Sequence, residues 1–450
     1  MNLYEVIETY HDLLTDTLAE ETDALMRTKL KERSLYFGDR PLCIVLRPYF
    51  YFEDDWQFIK NGLEGVLSAF SRAHEICTTD ATYRQQLILD DYEEELFELD
   101  RGAVPPWTSS RLDTFFVLED RDLKCVEYNA ETPAGIGYND VLADVFEQLE
   151  PMKRFKKKYN IRPMRSLQTL QDALLKAYHD WGGREKPQVA ILDWGDVPTL
   201  NEHEITRQYF ERNGLRSVLA DPRALDYRNG HLMARDFRID MIYKRVLYSE
   251  LIERMGTDNA VLQAVRDRAV FITNSPSAKL MSKKASLAFL SDDRNENLFT
   301  IAEREAIAAH IPWTRVISER KTRYQGQEVD LIPFVAENRE RFVLKPNDDY
   351  GGHGVVLGWE CSADGWAATV KQALEAPYVV QEKVTMVQRE FPSWVNGALN
   401  INQRYVDADP YVFNGNTVYG CLTRLSPLAL LNVTAGGGSI VPTYIISQLS

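Results

Sequence analysis

The segment Phe342-Val343-Leu344-Lys345-Pro346-Asn347-Asp348-Asp349-Tyr350-Gly351-Gly352-His353-Gly354-Val355-Val356-Leu357 is an apolar run that ends in a lysine, crosses a glycine-rich turn and resumes as a second apolar run. A strand holds an ammonium rigidly at its end. Glycines let successive backbone N–H groups close over an anion. The pattern therefore reads as a phosphate grip, with Lys345 as the cation and Gly351, Gly352 and Gly354 as the cover. It is no Walker loop, because no Gly-x-x-x-x-Gly-Lys-Ser/Thr precedes a helix. A plain β-hairpin with a surface lysine is the competing reading.

A nucleotide site also needs further cations and a backbone edge for the base. Lys284, on an earlier helix, supplies a second cation. The strand Tyr378-Val379-Val380-Gln381-Glu382-Lys383 supplies an edge at Gln381, Glu382 and Lys383.

Well upstream, Thr114 to Leu118 and Lys124 to Tyr128 flank the charged turn Glu119-Asp120-Arg121-Asp122, a hairpin signal. Strand side chains alternate, so Arg111 and Asp113 point to one face, as do Glu127 and Asn129 on the neighbouring strand. Two carboxylates and an amide oxygen are hard ligands suited to Mg²⁺, with phosphate oxygens and water completing the shell. The neighbouring arginine can stabilise negative charge that develops on a transferred phosphoryl group or an acyl intermediate. A solvated cross-strand salt bridge is the alternative. A third group, Thr423-Arg424 followed by Gly436-Gly437-Gly438-Ser439, places a strand arginine near a loop that could close over an anion.

Between these groups the chain reads strand (189–192), helix (about 202–213), strand (217–220), turn (228–230), strand (241–243). That order describes a parallel Rossmann-like layer. It lacks Gly-x-Gly-x-x-Gly, so it predicts no dinucleotide. Asp193, Trp194 and Asp196 follow its first strand. Toward the N-terminus a largely helical stretch (3–33) precedes a strand expected over Pro41 to Tyr51, centred on Leu42 to Leu46. An amphipathic helix is expected over Asp54 to Ile76. Helices are also expected over Lys283 to Leu290 and near 300–309.

The composition is that of a globular protein of several domains: 450 residues, 44% hydrophobic and 26% charged. A net charge of −15 provides no overall basic footprint for nucleic acid. No 18-residue apolar run is present, and the N-terminus is acidic and amphipathic, unlike a signal peptide. Five scattered cysteines without a Cys-x-x-Cys pair point to reduced thiols and a cytoplasmic protein, and the seven histidines have no zinc spacing.

Taken in order along the chain, these motifs resemble the circularly permuted ATP-grasp proteins, the group that includes glutathionylspermidine synthase-like enzymes. Arg47-Pro48 with the helix from Trp56 to Ala73 looks like the family's N-terminal region. Val126-Glu127-Tyr128-Asn129-Ala130-Glu131-Thr132-Pro133-Ala134-Gly135 looks like its Glu-x-Asn-x-x-x-Pro motif. Asn274 to Leu290, Lys345 to Val355, and Thr423-Arg424 with Gly436 to Ser439 resemble its nucleotide half. The carboxylate strands precede the nucleotide lobe, as in the permuted group.

The resemblance implies an α/β (α+β) fold: an ATP-grasp of circularly permuted order with a Rossmann-like pre-ATP-grasp layer and an N-terminal helical segment. The expected divisions are 1–95 (helical segment), 96–150 (metal-binding part), 160–275 (Rossmann-like) and 276–450 (nucleotide lobes). It also implies ATP and Mg²⁺ as cofactors. Asp113, Glu127 and Asn129 would hold the metal, and Arg111 would stabilise an acyl-phosphate or tetrahedral intermediate. Lys284, Lys345 and Arg424 would meet the nucleotide and anionic groups, with Gly351, Gly352 and Gly354 above them. Gln381, Glu382 and Lys383 would lie at the adenine.

The implied activity is ATP-dependent ligation of a small acid or peptide to an amine, without nucleic-acid or membrane partners. A phosphotransferase on the same scaffold and a nucleotide-binding module without turnover remain as alternatives. One departure bears on substrate. Glutathionylspermidine synthases carry Asn-Ala-Asp-Thr-Pro-Thr where this chain has Asn129 to Ala134, and Ala134 has no side chain to hydrogen-bond a peptide.

Overall fold

A computed structural model describes residues 2–99, 106–349, 351–430 and 438–449. Its centre is a nine-stranded sheet, mostly antiparallel, in which the upstream hairpin and the C-terminal strands form one surface. Ser109–Val117 pairs with Asp122–Asn129 on one side and with Asp409–Phe413 on the other. Ser439–Gln448 runs through this sheet, antiparallel to Thr417–Ser426 and Tyr159–Pro163 and parallel to Tyr49–Phe52. Residues from both ends of the chain thus bury one core, which includes Phe50, Leu63, Phe70, Leu112, Tyr411 and Tyr444. The helix Glu53–Thr79 covers it with the face formed by Ile59, Leu63, Val66, Leu67 and Phe70.

The lysine strand Phe342–Pro346 lies in a separate four-stranded antiparallel sheet. It is flanked by Tyr378–Glu382 and by Val356–Leu357. Phe342, Leu344, Trp366 and Val380 pack there into a core of their own. The third layer is fully parallel, in the order Phe271–Thr273, Met241–Lys244, Val189–Leu192, Ser217–Ala220. Its direction of winding reverses between Val189–Leu192 and Met241–Lys244, and ligands bind open α/β sheets at the carboxyl ends of strands at such a switch point.

The expected hairpin, the Rossmann-like layer, and the helices Leu200–Arg212 and Ile301–His310 are present. Others differ. The stretch 3–33 is two helices, Leu3–His11 and Asp16–Glu32, the second capped by Thr15. Leu42 to Leu46, buried apart from half-buried Ile44, forms no strand. Its backbone groups bond singly to different partners: Ile44 N–H to Ser439 Oγ, Leu46 N–H to the Pro392 carbonyl, and the Leu42 carbonyl from Ile440. The helix expected over Lys283 to Leu290 is present as Ala285–Ser291; a short turn of helix, Lys279–Ser282, precedes it, with Lys283 and Lys284 at the break. Cys43, Cys77, Cys125 and Cys421 are buried thiols, and Cys361 is half-buried. Among the described residues no helix is long and apolar enough to cross a membrane.

Candidate active site

The two sheets face each other across a cleft. Arg111, Asp113, Glu127, Asn129 and Arg424 reach it from the nine-stranded sheet. Lys345, Gln381, Glu382, Gly351 and Gly352 reach it from the lysine sheet, and Lys284 from the helix break. Residues more than two hundred positions apart therefore line one cleft. Val343, Leu357, Trp359, Val384 and Met386 line an apolar slot in the cleft.

Register places the upstream residues. Arg111 stands opposite Asn129, and Asp113 opposite Glu127. Arg111 grips Asp113 with two bonds, Nε to Oδ1 at 2.8 Å and an Nη to Oδ2 at 3.2 Å, and donates to the Ala134 carbonyl at 2.9 Å. Asn129 donates to Asp113 Oδ1 at 2.8 Å, and Arg424 pairs with Asp113 Oδ2 at 2.8 Å. Burial pushes the Asp113 carboxyl up, but Arg111 and Arg424 outweigh it and hold the group down at about 2. Arg424 also pairs with Asp407 at 2.7 Å and Asp409 at 2.9 Å. Both of these carboxyls are raised by burial, only partly offset by Arg424.

Asp407 and Asp409 were not anticipated. The alternation Asp407-Ala408-Asp409 beside a strand, which puts both carboxylates on one face, was the available signal.

Lys345 Nζ donates to Gln381 Oε1 at 2.7 Å and to the Val126 carbonyl at 3.2 Å. It makes no ion pair among the described residues, so its charge faces the cleft with only neutral acceptors. Burial lowers it to about 8, with Glu127 pulling the other way. Lys284 Nζ lies 3.1 Å from Glu127 Oε1 and 2.7 Å from the Asp349 carbonyl, joining the carboxylate strand to the root of the glycine loop. Gly351, Gly352 and Gly354 have φ of 66°, 75° and 67°. At Gly354 a Cβ would also come within 2.6 Å of Pro346 Cγ, so the turn has no room for a larger residue.

Two expected residues stand aside. Lys383 extends over the Trp359 ring at 4.1 Å, and Gly354 is absent from the cleft wall. The N–H groups of Glu382 and Lys383 are taken by the carbonyls of Trp313 and Arg341, which leaves Val384 as the next backbone position along the slot. Gly436 and Gly437 lie outside the described residues, and Ser439 Oγ serves the core beside Ile44.

Among the described residues no group of three His, Cys, Asp or Glu side chains is arranged for a metal. The donors that fit Mg²⁺ are Glu127 and Asn129, oxygen ligands on one strand face pointing into the cleft, with the rest of a shell left to phosphate and water. Asp113, taken by two guanidiniums, would reach a metal only by giving up one of those pairs.

At the switch point of the parallel sheet, Asp193 ends one strand and Arg245 follows the other. Trp194 is buried beneath the Arg254 and Arg223 guanidiniums, at 4.5 Å and 5.5 Å from its ring. His203 Nε2 lies 3.5 Å from Asp193 and has no hydrogen bond among the described residues, and burial lowers the imidazole to about 3. Glu202 Oε1 accepts the N–H groups of Gly135 (2.7 Å) and Gly137 (3.2 Å), while its Oε2 is buried without a partner among the described residues. Gly135 sits at φ 104°, and a Cβ there would meet the Tyr411 hydroxyl at 2.7 Å. Arg245, 8% exposed, makes a 3.4 Å contact to the Tyr243 hydroxyl, lies 5.5 Å from the centre of the Tyr243 ring, and makes no ion pair among the described residues.

The family model for circularly permuted ATP-grasp type 2 matches residues 113–426. The chain belongs to that family. The match begins at Asp113 and takes in the carboxylate hairpin, the parallel layer and the lysine sheet. A Frankia alni relative named "Putative glutamate--cysteine ligase 2-3" is 24% identical over 96% of this chain and 51% of its own length. The protein Rv2411c of Mycobacterium tuberculosis is 23% identical over 94% of this chain and 77% of its own. The chain thus spans about half the length of the Frankia relative. A glutathione synthetase-like effector of Globodera pallida, solved in its apo form, superposes with a TM-score of 0.60 over 96% of this chain and 98% of its own, at 14% identity. That likeness shows a shared overall fold.

Proposed function

We propose that this protein is an ATP-dependent carboxylate–amine ligase that joins a small acid or peptide to an amine. The observation that carries the reading is the convergence of Lys345, Lys284 and the glycine loop with Arg111, Glu127 and Asn129 in one cleft between two sheets. Lys345 and Lys284 hold the ATP phosphates, Gly351 and Gly352 cover them, and the base enters the slot beside Trp359 and Val384. Glu127 and Asn129 would hold Mg²⁺, which would supply neutralisation of phosphate charge there.

The acid lies toward Arg111, on the side of Ala134, Glu202 and Arg245. Its carboxylate oxygen bonds to the terminal phosphorus as ADP leaves. The amine nitrogen then bonds to the acyl carbon, loses a proton, and expels phosphate. Arg111, rigidly held by Asp113 and the Ala134 carbonyl, faces the negative charge that develops at both steps. Such fixed donors cost no reorganisation when the charge appears. A surface with net charge −15 suits a cationic amine. Buried free thiols accord with a cytoplasmic setting.

Incubation with Mg-ATP and a panel of amino acids, peptides and polyamines tests the reading. Phosphate release should require an acid and an amine together, and mass spectrometry should find the amide. A phosphate ester as product, or ATP binding without substrate-dependent release, overturns it.

Lys345 adds a pH dependence. Its ammonium is held at about 8 in the free protein, and bound phosphate would raise that value. ATP affinity should therefore be full below pH 8 and fall as pH rises, by up to about tenfold per pH unit, until the bound-state value is reached. Titration of ATP affinity from about pH 7 to about pH 9.5 reads this directly. Lys345→Met should bind ATP weakly and without that slope, and an unchanged slope removes Lys345 from the phosphates.

A further inference from the structure

Behind the cleft wall lies a chain of buried charges that the ligase chemistry does not use. Glu131 is 4% exposed and stands two residues past Asn129. Its Oε1 takes Lys244 Nζ at 3.2 Å and the Tyr248 N–H at 2.7 Å, and its Oε2 takes Lys279 Nζ at 3.1 Å. The same Lys279 ammonium donates to Asp348 Oδ1 at 2.7 Å and lies 3.8 Å from Glu93. Lys283 closes the chain, 2.6 Å from Glu93 and 3.9 Å from Asp348. Three lysines face three carboxylates. Burial works against the charge of Glu131, yet Lys279 and Lys244 hold its carboxyl down at about 2.

The placement of Lys279 repeats that of Lys284. Lys284 links Glu127 to the Asp349 carbonyl, and Lys279 links Glu131 to the Asp348 side chain. Each lysine therefore ties one residue at the root of the glycine loop to one residue of the 127–131 strand and turn. They differ in surroundings. Lys284 is in the cleft wall, where phosphate would compete for its ammonium, and Lys279 is not. A nucleotide that draws Lys284 away leaves Lys279 as the surviving tie. Asp348, whose side chain is 29% exposed, is the one member of the pair near solvent.

We infer that Lys279 is a positioning residue that transmits nucleotide-induced closure of the glycine loop, through Asp348 and Glu131, to the turn carrying Ala134 and Gly135, against which the acid is held. This inference rests on the ligase reading of the cleft. It adds that the nucleotide and acid sites are coupled and names the bridge.

Hydrogen–deuterium exchange of the full chain with and without Mg-ATP tests it. In the wild type, Mg-ATP should slow exchange in peptides over 351–355 and also over 131–137, each by at least about fivefold, the lower end of ordinary site-to-site coupling. In Lys279→Met the 351–355 peptide should keep its protection while the 131–137 peptide loses it. A merely structural lysine would instead speed exchange in both regions without nucleotide and leave the ATP-induced difference intact. Asp348→Asn removes the same tie from its partly exposed end, so a Lys279 variant that fails to fold leaves the test standing, and it should give the same split. Protection of 351–355 alone in the wild type, or protection of both peptides in a variant, overturns the coupling and spares the nucleotide site. No protection of 351–355 in the wild type overturns both readings.

Discussion

Glu127→Gln is expected to reduce magnesium-dependent ATP turnover on the order of 10³-fold while leaving the fold in place. Glu127 is on the cleft side of its strand, with a side chain 29% exposed, and no core contact depends on its charge. Glutamine keeps the length and can still accept the Lys284 bond now made at 3.1 Å. What disappears is the anionic oxygen that, with Asn129, would hold Mg²⁺ against the phosphates. Removal of an interaction that strengthens in the transition state lowers kcat rather than raising KM. The unfolding midpoint should stay within about 2 °C of wild type, as for a surface substitution of small effect. Metal-free ATP affinity should be equal or better, because Lys284 loses its competing carboxylate. Wild-type turnover in this variant would remove Glu127 from the metal, and a collapse of the unfolding midpoint would make it structural.

The sequence carried the local half of this site well, because its signals were local. Alternation placed Arg111, Asp113, Glu127 and Asn129 toward one cleft, and the lysine strand with its glycines announced itself by composition. What escaped was decided by tertiary contact. Leu42 to Leu46 has a strand's apolar content, but its backbone groups find scattered partners instead of a ladder. Val387–Val395 contains Pro392, which argues against a central strand, and it is an edge strand where a missing N–H costs no ladder bond. Asp407 and Asp409 became site residues only because Arg424, 15 to 17 positions on, folds back between them and Asp113. The roles of Lys279 and Lys283 depended on where Glu131 and Asp348 arrive from distant segments, which no spacing along the chain encodes.

Arg424→Met should show the largest loss of stability, about 3 to 5 kcal/mol near neutral pH, the range for removing one partner from a buried ion cluster. Arg424 is the only cation bonded to Asp407 and Asp409 among the described residues, and it shares Asp113 with Arg111. Without it three buried carboxyls face one guanidinium.

The pH dependence identifies the cause. Asp407 and Asp409 already have raised values with Arg424 present, and its loss raises them further. An acid whose folded value exceeds its unfolded value loses stability as pH rises from the unfolded toward the folded value. Asp113, held at about 2 by the two arginines, contributes stability that is present above its unfolded value near 4 and would be weakened in the variant. Both effects act in one direction. The deficit of Arg424→Met should be smallest near pH 4 and grow toward neutrality, as read by denaturant titrations at a series of pH values. Asp409→Asn added to Arg424→Met should recover part of the loss, because it removes one uncompensated charge from a position that is 0% exposed. A deficit independent of pH, or a double variant less stable than the single, would show that Arg424 is held by packing rather than by the three carboxylates around it.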